Sequence, residues 1–249
     1  MLRDYLADFR PRAVPTIIAG LGVLLLLALG TWQLFRLAEK NAINAFRAER
    51  AGAAAVPLPA RVDDVGAWEF RRVKVTGTFD HAHELYINGR SQRGNTGYDI
   101  VTPLRRADGP PVLINRGWVP YSRKDPASRA EGQVAGVTTI EGILRTEPRK
   151  GWLMPTNSAE RNEWFWFDLA PMKQAAGVPD AAPFYIEAGP EPNPGGFPIG
   201  GQTIIELRND HLQYAFTWYA LAIALAVIYV ISQKSPARTV DVRNGPGSS

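Results

Sequence analysis

Two runs without charge, one near each end of the chain, limit the fold more than anything between them. From Thr16 to Phe35 the sequence TIIAGLGVLLLLALGTWQLF carries no charged residue, and about 20 residues in a helix reach roughly 30 Å, the thickness of a bilayer's hydrocarbon. The run from Leu212 to Ile231 is of the same kind. Two such runs bracketing about 175 mostly polar residues predict a membrane protein whose bulk faces water. Two spans are too few for an ordinary channel or transporter. The averages over 249 residues, 45% hydrophobic and 21% charged, conceal this unevenness and alone would imply only one or two domains with a real core.

A cleaved signal peptide competes for the first run, because Arg3, Arg10 and Arg12 precede it and Ala28-Leu29-Gly30 offers small residues at a cleavage spacing. Against cleavage stand the length of the run and Trp32-Gln33, which reads as an interfacial anchor. Orientation follows from the second run. Lys234, Arg238 and Arg243 follow it closely while only Arg208 precedes it nearby, which places the C-terminus inside. Two spans then place the N-terminus inside as well. The expected segments are a cytoplasmic N-terminus (1–15), a membrane helix (16–35), an amphipathic helical extension (36–58), a β-rich domain (59–208), a second membrane helix (209–231) and a cytoplasmic tail (232–249). In a bacterial cell this is an inner-membrane protein with its main domain in the periplasm.

The net charge of +4 does not mark a nucleic-acid partner, since the basic residues are dispersed among Asp and Glu and partly used at the membrane flanks. The absence of cysteine excludes disulfides, zinc thiolate sites, iron–sulfur clusters and c-type haem attachment.

Within the middle region, EFRRVKVTGTF places Val73, Val75 and Phe79 on one face and Arg72, Lys74 and Thr78 on the other, the two-residue period of a half-buried strand. Similar strands are predicted in HELYIN, YDIVTPL, PVLINRGWV, VTTIEGIL, FYIEA and QTIIELR, separated by turn signals such as ADGPP, EGQVAG and NPGG. The predicted class is two transmembrane α-helices bracketing a mainly antiparallel β (α+β) domain. One helix is expected from Asp168 as N-cap through LAPMKQAA to Gly177 as terminator.

Several groupings invite chemistry. His81 and His83 in DHAHE would share one face of a strand and seed a copper or zinc site, or else form an exposed strand end. NRGWVP offers Asn115, Arg116 and Trp118 as a partner-docking edge, against a plain strand end with Gly117 for backbone freedom and Trp118 for packing. Trp164 and Trp166 in NEWFWFDL suggest sugar binding, but the alternating Phe165 and Phe167 fit a strand buried on both faces. No G-x-S-x-G, P-loop or dinucleotide glycine fingerprint occurs, so an enzyme is not expected.

The second run begins through Asn209, Asp210, His211 and Gln213. Asn209 can cap a helix and Asp210 suits its positive end. His211, Tyr214 and Trp218 then fall at i, i+3 and i+7. They form either an interfacial belt or a site in which a neutral imidazole nitrogen holds a ligand flanked by two rings. Below them Leu221 and Leu225 offer an apolar track, while Gly20, Gly22 and Ala28 would let the two runs pack closely.

Five segments, GTWQLFRLAEK, RRVKVTGTFDHAHELY, GYDIVTPL, VLINRGWVP and PIGGQTIIELRNDHLQYAFTWY, together resemble the surfeit locus protein family of cytochrome c oxidase assembly factors. The resemblance runs from the end of the first apolar run into the second. It implies handling of haem a, with His211 of the N-x-H-L-Q-Y stretch as iron ligand; the helical spacing then expects the rings of Tyr214 and Trp218 to flank the porphyrin. It also implies the catalytic subunit of an aa3-type oxidase as partner, haem a synthase as a further candidate, and the lipid bilayer as surroundings. A membrane-tethered scaffold that binds oxidase subunits without a cofactor is the alternative, and a periplasmic membrane-anchored enzyme trails both.

Overall fold

The structure, a computed structural model, describes residues 9–233. Arg3, Lys234, Arg238 and Arg243, which enter the orientation argument, lie outside the described residues. In chain order the elements are α1 (Ala13–Gly52), β1 (Val56–Pro57), α2 (Val65–Trp68), β2 (Arg72–Phe79), β3 (Leu85–Gln92), β4 (Asn95–Arg105), β5 (Val112–Pro120), β6 (Val137–Arg145), α3 (Leu169–Ala175), β7 (Tyr185–Ala188) and α4 (His211–Ser232). They fall into two compact units. Among the described residues, one holds 9–43 and 208–233; the other is Asn44–Leu207.

The first unit is a helix pair. Both α1 and α4 are long and apolar enough to cross a membrane, and their outward faces are bare: Ile18, Leu24, Phe216 and Ile223 are each more than 60% exposed. A soluble protein would hide such faces in its core. As predicted, α1 continues from the apolar run into a charged stretch; it stops at Gly52, short of the end expected at residue 58. The facing residues recur alternately three and four apart, Ala19, Gly22, Leu26 and Leu29 on α1 and Ala215, Trp218, Ala222 and Leu225 on α4, which is the seam of a coiled-coil pair.

Small residues set how closely the helices approach. A Cβ on Gly22 would come within 2.8 Å of Leu225, and one on Gly30 within 2.9 Å of the Tyr219 ring, whereas Gly20 faces open space and does not take the packing role expected of it. Hydroxyl pairs add cross-links, Thr16 to Tyr229 at 2.5 Å and Thr31 to Tyr219 at 3.1 Å.

The second unit is a seven-stranded sheet in the order β1-β2-β6-β7-β5-β4-β3, and a further pairing of β2 with β4 closes β2, β6, β7, β5 and β4 into a ring. Most pairings are antiparallel as predicted, but β1 with β2 and β5 with β7 are parallel, so the sheet is mixed. The second follows from the chain path: β6 runs opposite to β7, so two reversals after β5 lay β7 parallel to β5 and between it and β6. Side-chain alternation then makes two cores. Val73, Val75, Leu104, Ile114, Leu144 and Ile186 point into the ring. Residues of opposite parity, among them Ile87, Val101, Leu113 and Tyr185, face outward and are covered by Trp164, Phe167 and α3 through Leu169 and Met172. Each aliphatic side chain fully buried this way contributes about 1.5–3 kcal/mol.

Three local expectations are corrected. NEWFWFDL is not a strand: it makes only isolated bridges, Trp164 to Ile87 and Glu163 to Ser158, and Trp164 and Phe167 enter the core. QTIIELR forms no ladder; Ile204 is 70% exposed, and the backbone of Leu207 is held instead by both ends of the Asn44 amide, at 2.8 and 3.0 Å. Asp168 sits at the α3 cap position without a side-chain capping bond, although Gly177, at φ +64°, follows the end of that helix as predicted.

Candidate functional site

α4 starts at His211, and what precedes it is tied to α1 within the helix-pair unit. Asn209 donates through Nδ2 to Asn41 Oδ1 at 2.8 Å and toward the Leu37 carbonyl at 3.4 Å. Its Oδ1 reaches the His211 amide only at 3.5 Å, so Asn209 works as a tether to α1 more than as a cap. Asp210 occupies the cap position with no side-chain capping bond and pairs with Arg208 at 2.5 Å.

The imidazole of His211 is half-buried, and its Nδ1 lies 2.6 Å from Gln33 Oε1. An amide oxygen can only accept, so Nδ1 carries the hydrogen and a neutral ring then has its lone pair on Nε2. Nε2 has no hydrogen-bond partner among the described residues. Metal-binding histidines are characteristically held in this way, with one ring nitrogen donating to an oxygen and the other left for the metal. Sequence reasoning treated Gln33 only as an interfacial anchor; the available signal was a lone amide inside an uncharged run.

The expected stripe is only partly formed. Trp218, at i+7, shares the inward seam with His211, but Ala215 at i+4 takes the intervening place and Tyr214 is 56% exposed. The difference between i+3 and i+4 on a seam of period 3.5 rotates Tyr214 off the α1-facing side. Leu225 lines an open apolar groove of about 420 Å³ with Ile18, Ala19 and Ile228, while Leu221 is 46% exposed.

The other expected groupings lie in the sheet unit. Asn115, Arg116 and Trp118 are 5%, 2% and 5% exposed, so they present no docking edge at the surface. β5 pairs with β4 on one side and β7 on the other and is buried on both faces, and Arg116 continues the ring-facing alternation of Val112 and Ile114 at a bulge where Ile100 pairs with Gly117 and Val101 with Asn115. Asn115 donates to Asp99 at 3.3 Å and accepts from the Gly117 amide at 3.0 Å, and the Trp118 indole donates to the Arg90 carbonyl at 3.3 Å. His81 and His83 sit on a 3-10 turn, not a strand, and separate: His81 Nε2 donates to the Val134 carbonyl at 3.0 Å, while His83 Nδ1 meets Asp80 at 2.9 Å. No group of three or more His, Asp or Glu placed to hold a metal ion occurs among the described residues.

Arg116 instead joins a buried charge cluster. Glu84, 5% exposed, takes Arg129 at 3.2 and 2.5 Å, Gln133 at 3.3 Å and Arg116 at 3.5 Å. Arg116 also donates to the Gly132 carbonyl and lies 4.7 Å over the Phe79 ring. Burial by itself would raise the Glu84 carboxyl, but hydrogen bonds with His81, Arg129 and Gln133 and the Arg129 charge outweigh it and hold it at about 2. Burial lowers Arg116 to about 10, against the pull of Glu84. Neither Glu84 nor Arg129 carried any pattern in the sequence, because each alone reads as a solvated charge.

A ring-closed mixed sheet flanked in sequence by two long apolar helices, with a histidine oriented at the start of the second, defines a helix-tethered β-domain protein. The chain belongs to the SURF1 family, whose profile matches residues 21–223. It is 40% identical over 227 residues to surfeit locus protein 1 of Mus musculus, covering 85% of this chain and 72% of that one. The SURF1-like protein of Monosiga brevicollis is 38% identical over 224 residues, 85% of each chain. Surfeit locus protein 1 of Homo sapiens is 37% identical over 217 residues, 81% of this chain and 71% of that one.

Proposed function

We propose that this protein is a membrane-anchored assembly factor, not an enzyme, for aa3-type haem-copper cytochrome c oxidase, binding haem a through His211 and assisting its insertion into the catalytic subunit. Family membership supports the class. The observation that carries the site is the Nδ1–Gln33 hydrogen bond, which fixes the ring and leaves Nε2 its lone pair. Haem a, when bound, would supply an iron able to take an imidazole nitrogen, and His211 would hold it. The chain supplies the rest: Gln33 orients the ring, Asn209 ties the start of α4 to α1, and Trp218 offers an aromatic face on the same seam. Exposed Tyr214 is a second ring within reach of a large planar ligand.

Expressed with a haem a supply, the wild type is expected to purify with haem. His211→Ala is expected to lose most of it, and Gln33→Leu to keep less haem with a shifted Soret band, because an unanchored ring costs about 10- to 100-fold in metal affinity. Full haem content and an unchanged Soret band in His211→Ala would sink the ligand assignment and favour the scaffold that binds oxidase subunits without a cofactor. Haem a synthase is the natural donor and the oxidase catalytic subunit the acceptor in this reading.

The bare apolar faces of α1 and α4 support both as membrane spans, and the basic residues that follow the second run in sequence support an N-in, C-in orientation with the sheet unit outside the cytoplasm, the periplasm in a bacterial cell. Alkaline phosphatase fused near Pro155 is expected to be active and a fusion after Ser249 inactive. The reverse pattern overturns the topology.

A further inference from the structure

Three buried N–H donors in the described part of the chain have no hydrogen-bond partner: Arg90 Nε, Arg145 Nε and Trp166 Nε1. All three residues line the same cavity of about 340 Å³ in the sheet unit. An orphaned buried donor is destabilising, and three around one cavity mark a place where acceptor oxygens belong. The reasons they are orphaned differ. Arg145 spends Nη1 on Glu187 at 3.1 Å. Arg90 Nε is 3.3 Å from Asp99 Oδ2, an ion pair without hydrogen-bond geometry. The Trp166 indole lies beneath the Lys150 ammonium, 5.6 Å from its ring centroid.

Charge narrows the ligand. Arg47 and Arg149 also line the cavity, so four guanidiniums face the two carboxylates of Asp99 and Glu187. A ligand bringing negative charge would balance them. Shape narrows it further, because the same cavity is walled by apolar side chains that the fold leaves uncovered, Met154 at 40% and Ile204 at 70% exposed, next to the Phe167–Tyr185 ring stack. Bare inorganic phosphate would leave those walls in water. Burial pushes the Tyr185 phenol upward, so it remains a neutral wall at physiological pH.

We infer that this cavity binds an organic carboxylate with a flat apolar body, the carboxylate accepting from Arg90, Arg145 and Trp166 and the body covering Met154 and Ile204. The site is separate from His211 and does not rest on the haem reading.

The probe is 2-naphthoate, titrated calorimetrically into the full-length protein in lipid nanodiscs, with empty nanodiscs as blank. Saturable one-to-one binding is expected, with 2-naphthamide and inorganic phosphate at least about tenfold weaker. Trp166→Phe keeps the ring and removes its N–H; Arg145→Lys keeps the charge and removes Nε–H. Each is expected to weaken naphthoate about tenfold, the loss for one hydrogen bond to a charged group, with circular dichroism unchanged. His211→Ala is expected to bind naphthoate like the wild type. Displacement of naphthoate by a porphyrin dicarboxylate would identify a porphyrin side chain as the source of the carboxylate; failure to displace it would identify a free acid. The inference is overturned by absence of binding, by equal binding of the amide or of phosphate, or by both variants binding like the wild type.

Discussion

Glu84→Gln is expected to destabilise the sheet unit by about 3–5 kcal/mol, the cost of stranding a buried charge whose partner has been removed. The substitution keeps size but turns one acceptor oxygen into a donor facing Arg129 or Gln133, and leaves Arg116 and Arg129, 2% and 5% exposed, without a counter-charge. Intact, the cluster adds little net stability, because the depression of Arg116 to about 10 is a cost at neutral pH that opposes the gain at Glu84. It fixes the position of the bulged β5 against the turn that carries Arg129. Thermal unfolding followed by near-ultraviolet circular dichroism should fall by roughly 10 °C or more for a unit of this size. Glu141→Gln, which removes a partly exposed partner of Arg72 and Lys74, should cost under about 1 kcal/mol. Acid has the same target. A carboxylate depressed from its ordinary 4.5 to about 2 stabilises the fold above the higher value and loses that contribution as pH falls through the lower one. The wild type should therefore weaken between pH 4.5 and 2 more steeply than Glu84→Gln. A variant as stable as the wild type at neutral pH would show that water screens the cluster.

How much of this was legible depends on whether the signal was local. The apolar helices were, since length without charge suffices, and the alternation of β2 reappears as its burial pattern. The strand reading of QTIIELR failed although its apolar pattern was acceptable, because no neighbouring strand offers it a ladder and Asn44 satisfies Leu207 instead. Ring closure rests on Thr78 and Phe79 meeting Arg105 and Leu104, and nothing in either pair of residues announces it. β5 is apolar on both faces, so its sequence could not tell a parallel neighbour from an antiparallel one.

The site divides along the same line. The polar start of α4 singled out His211 without tertiary information, but its oxygen partner, Gln33, lies 178 residues away. The Asn115–Trp118 stretch reads as an edge in the sequence for a related reason: β5 is paired on both sides, with β4 and β7, and covered on both faces, and β7 comes from a distant part of the chain.

Gly117→Ala is expected to cost more than about 3 kcal/mol, for two reasons that a second glycine separates. At φ +113° the backbone of Gly117 is outside the range open to other residues, worth about 1–3 kcal/mol. In addition, a Cβ there would sit deep inside van der Waals contact of the Ile199 carbonyl. That carbonyl accepts from the Trp118 amide at 2.9 Å while the Ile199 amide donates back at 2.8 Å. The methyl group must push the Ile199 segment off β5 and lose both hydrogen bonds, about 1 kcal/mol each. Gly89, the extra residue of the β3 bulge, has φ +73° but open space where its Cβ would be. Gly89→Ala carries only the backbone cost, about 1 kcal/mol. Measured side by side in denaturant unfolding of the full-length protein, Gly117→Ala should lose at least twice what Gly89→Ala loses, and amide exchange at Trp118 and Ile199 should accelerate only in the former. Equal losses would mean that backbone conformation, not the close approach of the Ile199 segment, dictates glycine next to the bulged Arg116.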